Sequence, residues 1–213
     1  VGKVSSREDM LRLDAMMAAL EKERGVPVGQ TPVIAWLETT RGMVNAYEIC
    51  SACPRLQGVA FGSEDFTADL EVEKTEEDWQ FLYVRSWVAI AAKAAGILAF
   101  ATVHSNFRDE EGLISIAKKE RLLGFKGKFA IHPAQVEPIN RVFAPTEAEI
   151  EKAKRIVAAF EEAEARGSAA SSLARPSLVG DDRGRRRPTA PARTAVVTPR
   201  GAAGEPRAQG RAQ

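Results

Sequence analysis

Long apolar runs are missing from this 213-residue chain, as are cysteines beyond Cys50 and Cys53 and histidines beyond His104 and His132. No stretch approaches the roughly 18 to 20 apolar residues that a bilayer requires, so no membrane span is expected. The opening V-G-K-V-S-S-R-E-D-M has no basic segment followed by an apolar core, so no secretory signal is visible. The C-x-x-C spacing invites a redox or zinc reading, but no second Cys or His pair completes a zinc site. Two small residues closing a helix before Pro54 is the simpler account. With no other thiol to pair, a cytoplasmic protein is expected.

Charge is nearly balanced, with 30 basic and 29 acidic side chains. The balance hides two unlike parts. Residues 168–213 hold nine Arg, no Lys and only three acids, Asp181, Asp182 and Glu205. The other residues are acidic overall. The tail is rich in Gly, Pro, Ala, Ser and Arg and contains no aromatic residue, so it cannot bury enough apolar surface to offset the entropy of ordering and is expected to be disordered. Its arginines could meet phosphates weakly, yet nothing interleaves with them to stack bases, and nucleic acid is not an expected partner. The domain division that follows is 1–167 as the folded body and 168–213 as the tail.

Within the body, short apolar runs alternate with helical periodicity. Val33–Leu37, 58–62, 96–103 and 128–132 have strand length, and continuous apolar runs suit strands buried on both faces of a parallel sheet. Ser6-Arg7-Glu8-Asp9 is a helix cap leading to Met10, Leu13, Met17 and Leu20, with Gly25 as the stop. Helices are also expected over 78–95 (Phe81, Val84, Val88 and Ala91, stopped by Gly96), over 111–123 (stopped by Gly124), and from Thr146 to about Arg166, with an apolar stripe of Ile150, Ala153, Val157 and Phe160. Trp36, Trp79 and Trp87 fall on apolar stripes and read as core. Strand, helix, strand, helix is the order of a parallel α/β fold.

Counting the stub Val1–Val4, five strands are expected in the body, whereas a complete eightfold βα barrel takes about 250 residues. Two architectures remain open, an open doubly wound sheet or a barrel without its first three βα units. No glycine-rich phosphate fingerprint follows any strand, which weakens a dinucleotide-binding version of the first.

Glu38 directly follows the first apolar run and Asp65 nearly follows the second. In parallel α/β folds the C-terminal ends of the strands form the active face, so the two carboxylates could converge there. Such a pair suits Mg²⁺, which takes few protein ligands and keeps water or substrate oxygens. Capping of neighbouring helices explains the positions equally well. Arg41 could hold an anionic substrate or pair with a carboxylate. His132, before Pro133, reads as structural more readily than as a base, and His104 just beyond a strand end reads either way.

Four segments carry a resemblance: I-A-W-L-E-T-T-R-G-M-V-N-A-Y-E-I, G-V-A-F-G-S-E-D-F-T-A-D-L, F-R-D-E-E-G-L and L-G-F-K-G-K-F-A-I-H-P-A-Q-V-E-P-I-N. In order, they closely resemble the citrate lyase beta-subunit-like branch of the HpcH/HpaI aldolase superfamily, CoA-ester lyases on a βα barrel. The resemblance implies Mg²⁺ on Glu38 and Asp65, and retro-Claisen cleavage, or the reverse condensation, of a 3-hydroxyacyl-CoA such as citryl-, malyl- or citramalyl-CoA. It implies backbone donors at Gly62, Ser63 and Glu64 around the acid, and assembly as a homotrimer or hexamer. It also implies a partial (βα)8 barrel lacking the first three units, and with them an arginine that grips substrate.

The chain departs from the family's D-T-V-Y-T-D-F at Ala101-Thr102-Val103-His104-Ser105-Asn106-Phe107, losing two carboxylates. Where a lid carrying a catalytic aspartate is expected after Gly167, the arginine-rich tail stands instead, with the composition of a shifted reading frame in a GC-rich gene. No catalytic residue is therefore assigned, and weak or absent activity of the isolated chain is expected. Two other functions remain open: a non-catalytic fragment that binds a CoA ester or is completed by a partner, and a class II aldolase acting on free hydroxy-keto acids.

Overall fold

A computed structural model describes residues 1–75 and 79–165, with side chains to Glu162. The expected tail, the 167/168 boundary and Asp78 lie outside the described residues. Two compact units are distinguished. The first spans Val1–Phe143, and the second begins at Ala144.

Among the described residues, the first unit is built on four strands, β1 (Val33–Leu37), β2 (Leu56–Phe61), β3 (Leu98–Ala101) and β4 (Gly127–Lys128). They lie in the order β1-β2-β3-β4, all parallel. Helix α1 (Arg7–Glu23) precedes them; α2 (Thr40–Val44) and α3 (Ala46–Cys50) join β1 to β2; α4 (Ser63–Leu70) and α5 (Leu82–Ala95) join β2 to β3; α6 (Glu110–Leu123) joins β3 to β4; α7 (Val136–Phe143) follows. The β1–β2 register pairs Leu37 with Phe61 at the C-terminal ends. Val1 runs along the outer edge of β1: its ammonium donates to the Ile34 carbonyl at 2.8 Å, and its carbonyl accepts from Trp36 N–H at 2.8 Å.

Local chemistry sets the helix limits. Ser6 and Asp9 form a reciprocal capping box at the start of α1. Gly96 and Gly124 close α5 and α6 with φ of +77° and +107°, a left-handed conformation that side chains with a Cβ resist. On one face of the sheet, Ala35, Leu37, Val59 and Phe61 are fully buried against Met10, Ile49, Phe81 and Val88. The other face carries a smaller cluster of Ala60, Phe100 and Phe129, with the Trp36 ring tilted 36° to that of Phe129 at 4.7 Å between centroids.

Several expectations change. β1 alternates buried and half-buried residues instead of being buried on both faces, because only the smaller cluster covers its second side. The run 128–132 yields a two-residue strand, and His132 caps a single 3-10 turn at Pro133–Gln135, its Nδ1 accepting from Ala134 N–H at 3.2 Å. Trp79 is 71% exposed, not core, whereas Trp36 and Trp87 are half-buried. Cys50 and Cys53 are buried free thiols at and just beyond the end of α3, with burial pushing Cys50 up to about 12. In the second unit, α8 (Glu147–Ala165) forms as expected, but Ile150, Val157 and Phe160 of its stripe are exposed. The helix pattern fixes its amphipathicity and not a partner.

At the N-terminal ends of the strands, Glu21 of α1 is buried and accepts N–H bonds from Gly29 (2.7 Å) and Thr31 (3.0 Å). Arg55, just before β2, grips both Glu21 oxygens at 2.9 and 3.0 Å and also pairs with Asp14. This cluster ties α1 and the following loop to the sheet. The Arg55 guanidinium, helped by the two N–H bonds, holds the Glu21 carboxyl well below the usual carboxylate range. A depressed native pKa stabilises the fold above the unfolded value of about 4.3, and the contribution disappears as pH falls through the native value. Thermal melts across pH should therefore show Glu21→Gln with a lower Tm at pH 7 and a shallower decline between about pH 4.3 and pH 2 than wild type. Parallel Tm-against-pH curves would contradict the role given to this carboxylate.

Candidate metal and acid site

The register of β1 against β2 decides what meets at the C-terminal edge. Leu37 and Phe61 are the last pair, so Glu38 and Gly62 leave the sheet side by side. Gly62 N–H donates to the Leu37 carbonyl at 3.0 Å, extending the ladder by one bond. Glu38 is 8% exposed and turns toward Gly62, and a Cβ on Gly62 would stand 2.6 Å from Glu38 Oε2 and 2.8 Å from its Cβ. A Cβ on Gly2 would stand 2.9 Å from Oε1. The carboxylate thus lies in a cradle between two glycines, where any larger residue would displace it.

Helix α4 begins immediately after Gly62 and brings Ser63, Glu64 and Asp65 into its first turn. First-turn N–H groups have no intrahelical acceptor and favour negative charge nearby. Of the three residues expected to offer backbone donors, Gly62 has its N–H committed to the Leu37 carbonyl, while Ser63 and Glu64 stand in the first turn of α4. Asp65 is half-exposed and pairs with Lys3 Nζ at 3.2 Å. Lys3 N–H donates to Glu38 Oε1 at 2.7 Å, so one residue serves both carboxylates. Glu64 points outward and pairs with Lys74 at 2.6 Å.

The two acidic segments are also fastened together. Thr40 donates N–H (2.7 Å) and Oγ1–H (2.6 Å) to Asp69 Oδ2, linking the start of α2 to the end of α4. These bonds hold the Asp69 carboxyl below its ordinary value. Thr39 caps α2 through Gly42 N–H at 3.0 Å and meets Ser5 Oγ at 2.9 Å. Sequence reasoning identified Glu38, Asp65 and Gly62 but missed Lys3, Gly2 and the Thr40–Asp69 link. The roles of Gly2 and Lys3 depend on contacts 35 or more residues away, which no local pattern announces. Arg41 is exposed on α2, and no bond brings its guanidinium to the two carboxylates.

Glu38 and Glu21 are both buried, yet they shift in opposite directions. Burial pushes the Glu38 carboxyl up; the Lys3 N–H bond opposes this, and the neighbouring Asp65 charge raises it further. Its charge is the less compensated of the two, and a cation between Glu38 and Asp65 would relieve it. Among the described residues, no group of three or more His, Cys, Asp or Glu could hold a metal. Two carboxylates with open positions fit Mg²⁺, which retains waters or ligand oxygens, and do not fit a closed zinc site. His104 and His132 stand apart from this site: His104 Nε2 lies 3.3 Å from Asp109 Oδ2, and the His132 ring stacks on Phe107 at 4.5 Å.

Residues 1–133 match the family model described as HpcH/HpaI aldolase/citrate lyase. The chain is 42% identical over 171 residues to the citrate lyase subunit beta of Leuconostoc mesenteroides subsp. cremoris, covering 80% of this chain and 57% of that protein. It is 43% identical over 140 residues to a (3S)-malyl-CoA thioesterase of Cereibacter sphaeroides, covering 66% of this chain and 49% of that protein. The chain therefore spans about half the length of these curated relatives. Among solved structures, CitE of Mycobacterium tuberculosis in complex with magnesium, acetoacetate and coenzyme A superposes with a TM-score of 0.56 at 31% identity, covering 75% of this chain and 56% of that one. The parallel sheet, the paired acidic segments and these matches agree: the chain belongs to the HpcH/HpaI aldolase/citrate lyase family.

Proposed function

We propose that this chain carries the metal and acid half of an Mg²⁺-dependent carbon–carbon lyase for 3-hydroxyacyl-CoA esters of the citryl, malyl or citramalyl type. The observation that carries the reading is that one residue, Lys3, meets both acids beside a helix N-terminus, its backbone N–H on Glu38 and its ammonium on Asp65. Membership of a family whose matched relatives include a citrate lyase beta subunit and a malyl-CoA thioesterase supports it. We read the four parallel strands, with Val1 along β1, as part of a (βα)8 barrel whose inner face is the Trp36, Phe100 and Phe129 cluster. Residues 1–167 form its body, and 168–213 lie outside it on composition.

Glu38 and Asp65 would hold Mg²⁺, which when bound would supply Lewis acidity and a template for the oxygens of the acid half. Cleavage breaks the bond between the carbinol carbon and the α-carbon of the thioester. The hydroxyl loses its proton and becomes a keto group, while the bonding electrons stay with the thioester as an enolate that takes up a proton to give the shorter acyl-CoA. The protein residues orient and neutralise. Gly2 and Gly62 leave room for the Glu38 carboxylate, Lys3 N–H fixes one of its oxygens, and the first-turn N–H groups of Ser63 and Glu64 face developing negative charge.

Four variants test this by calorimetric titration with Mg²⁺ and by metal-dependent release of acetyl-CoA from malyl-CoA or citramalyl-CoA. Glu38→Gln and Asp65→Asn should each weaken Mg²⁺ by at least about a hundredfold, since loss of a direct ligand costs no less than the upper end of what loss of an outer-sphere partner does. Gly62→Ala should cost about 1 to 3 kcal/mol of stability, because its methyl meets the Glu38 side chain, and should weaken the metal as well. Lys3→Met should do the opposite and raise Mg²⁺ affinity by up to about fivefold, the worth of an exposed ion pair, since the ammonium competes with the metal for Asp65. Equal Mg²⁺ affinity in wild type, Glu38→Gln and Asp65→Asn would sink the reading.

A further inference from the structure

Helix α4 carries two carboxylates on one face. Asp65 and Asp69 are four residues apart, so they stand one helical turn from each other on the same side. Asp65 belongs to the proposed metal pair, and Asp69 is the residue whose Oδ2 accepts both bonds from Thr40. Thr40 in turn lies two residues beyond Glu38. The four residues close a loop: Glu38 leads along the chain to Thr40, Thr40 is bonded to Asp69, and one turn of α4 leads back to Asp65.

Nothing within α4 accounts for an acid at position 69. A carboxylate near the C-terminal carbonyls of a helix opposes the helix dipole, and the last turn of α4 holds no basic residue to answer it. Its partners stand on another segment. Thr40 N–H is a first-turn donor of α2 without an intrahelical acceptor, so Asp69 supplies the acceptor that α2 lacks.

Both sides of the loop are stiff. Helix α4 continues directly from β2 and presses Phe66, 5% exposed, edge-on to Phe61 at 5.7 Å between ring centres. Thr67 is buried, and its Oγ1 donates back to the Ser63 and Glu64 carbonyls at 3.1 and 2.9 Å. On the other side, Ser5 meets Thr39 Oγ1 through its hydroxyl and accepts from Asn45 Nδ2 at 2.9 Å through its carbonyl. Between the two segments, the bond from Gly62 N–H to the Leu37 carbonyl ties one end, and the Thr40–Asp69 bonds tie the other. Glu38 and Asp65 both lie between these ties along the chain.

A fixed gap between two ligands selects by ionic size. Mg²⁺ demands near-ideal octahedral geometry with oxygens at about 2.0 to 2.1 Å, whereas Ca²⁺ accepts looser arrangements at about 2.3 to 2.6 Å. We propose that Asp69 is a positioning residue: through Thr40 it sets the separation of the Glu38 and Asp65 carboxylates and so favours Mg²⁺ over Ca²⁺ at the pair. The proposal rests on the metal reading above and adds to it the residue that sets the selectivity.

The test is calorimetric titration of the full chain with Mg²⁺ and, separately, with Ca²⁺, beside Asp69→Ala, Asp69→Asn, Thr40→Val and Glu38→Gln, each checked by circular dichroism. Asp69→Ala should lower the ratio of Mg²⁺ to Ca²⁺ affinity by about tenfold, the lower end of what loss of an outer-sphere partner does. Asp69→Asn should keep the ratio near wild type, because an amide oxygen at the same length still accepts Thr40 N–H, and the lost charge acts alike on two divalent ions. Thr40→Val keeps the N–H, loses the hydroxyl and should lower the ratio by less. Added to Asp69→Ala it should change nothing further, since both remove the same bonds; alone, it carries the test if Asp69→Ala does not fold. An unchanged ratio in Asp69→Ala and Thr40→Val, or an equal fall in Asp69→Ala and Asp69→Asn, overturns the proposal. If the ratio is unchanged while Glu38→Gln loses Mg²⁺, the positioning role falls and the metal site stands. If Glu38→Gln binds Mg²⁺ as wild type does, the metal site itself is wrong and the proposal falls with it.

Discussion

The pairing of Leu37 with Phe61 at the end of the β1–β2 ladder is the constraint on which the site depends. A parallel register one residue out of step would turn Glu38 to the opposite face of the sheet, because successive side chains alternate. In this register Glu38 emerges beside Gly62, the absent side chain at 62 makes room for the carboxylate, and α4 starts at once with its first-turn N–H groups at the same edge. Lys3, running past the outer side of β1, then reaches both acids. Packing of Leu37 and Phe61 into the helix-facing core holds the register, so the chemistry of the edge rests on apolar burial beneath it.

The two ends of the sheet treat buried glutamates differently. At the N-terminal end Glu21 meets a guanidinium and two backbone N–H groups, and its charge is fully answered within the protein. At the C-terminal end Glu38 receives a single backbone N–H and faces another carboxylate, so its ionised form is disfavoured. A buried acid whose compensation is left incomplete marks a place where a cation from outside completes the structure. The fold thus separates a fully compensated carboxylate from an incompletely compensated one by which end of the strands each occupies, the second standing at the end that forms the active face in parallel α/β folds.

Much of this was legible before the structure. The capping box at Ser6 and Asp9, the stops at Gly96 and Gly124 and the apolar run Val33–Leu37 have local physical causes and formed as expected, while the run 58–62 formed a strand shifted to Leu56–Phe61. Glu38 and Asp65 could be singled out because acids at the ends of apolar strands stand out against the core pattern. The five-residue helix α2 was not anticipated, and α3 only as a helix end before Pro54, since helical periodicity needs about two turns to declare itself. Trp79 was misplaced because an aromatic residue on an apolar stripe looks the same whether it packs inward or faces outward. Lys3 and Gly2 could not be read as site residues at all, because their roles arise only when β1 lies beside them.

The central claim is that Glu38 and Asp65 form one divalent-cation site. Anomalous scattering from a crystal of the chain soaked in Mn²⁺, a stand-in for Mg²⁺, measures this directly. The account predicts a single strong peak within about 2.0 to 2.3 Å of an oxygen of each carboxylate, with Lys3 Nζ moved away from Asp65. A peak bound elsewhere, with the Lys3–Asp65 pair unchanged, would contradict it.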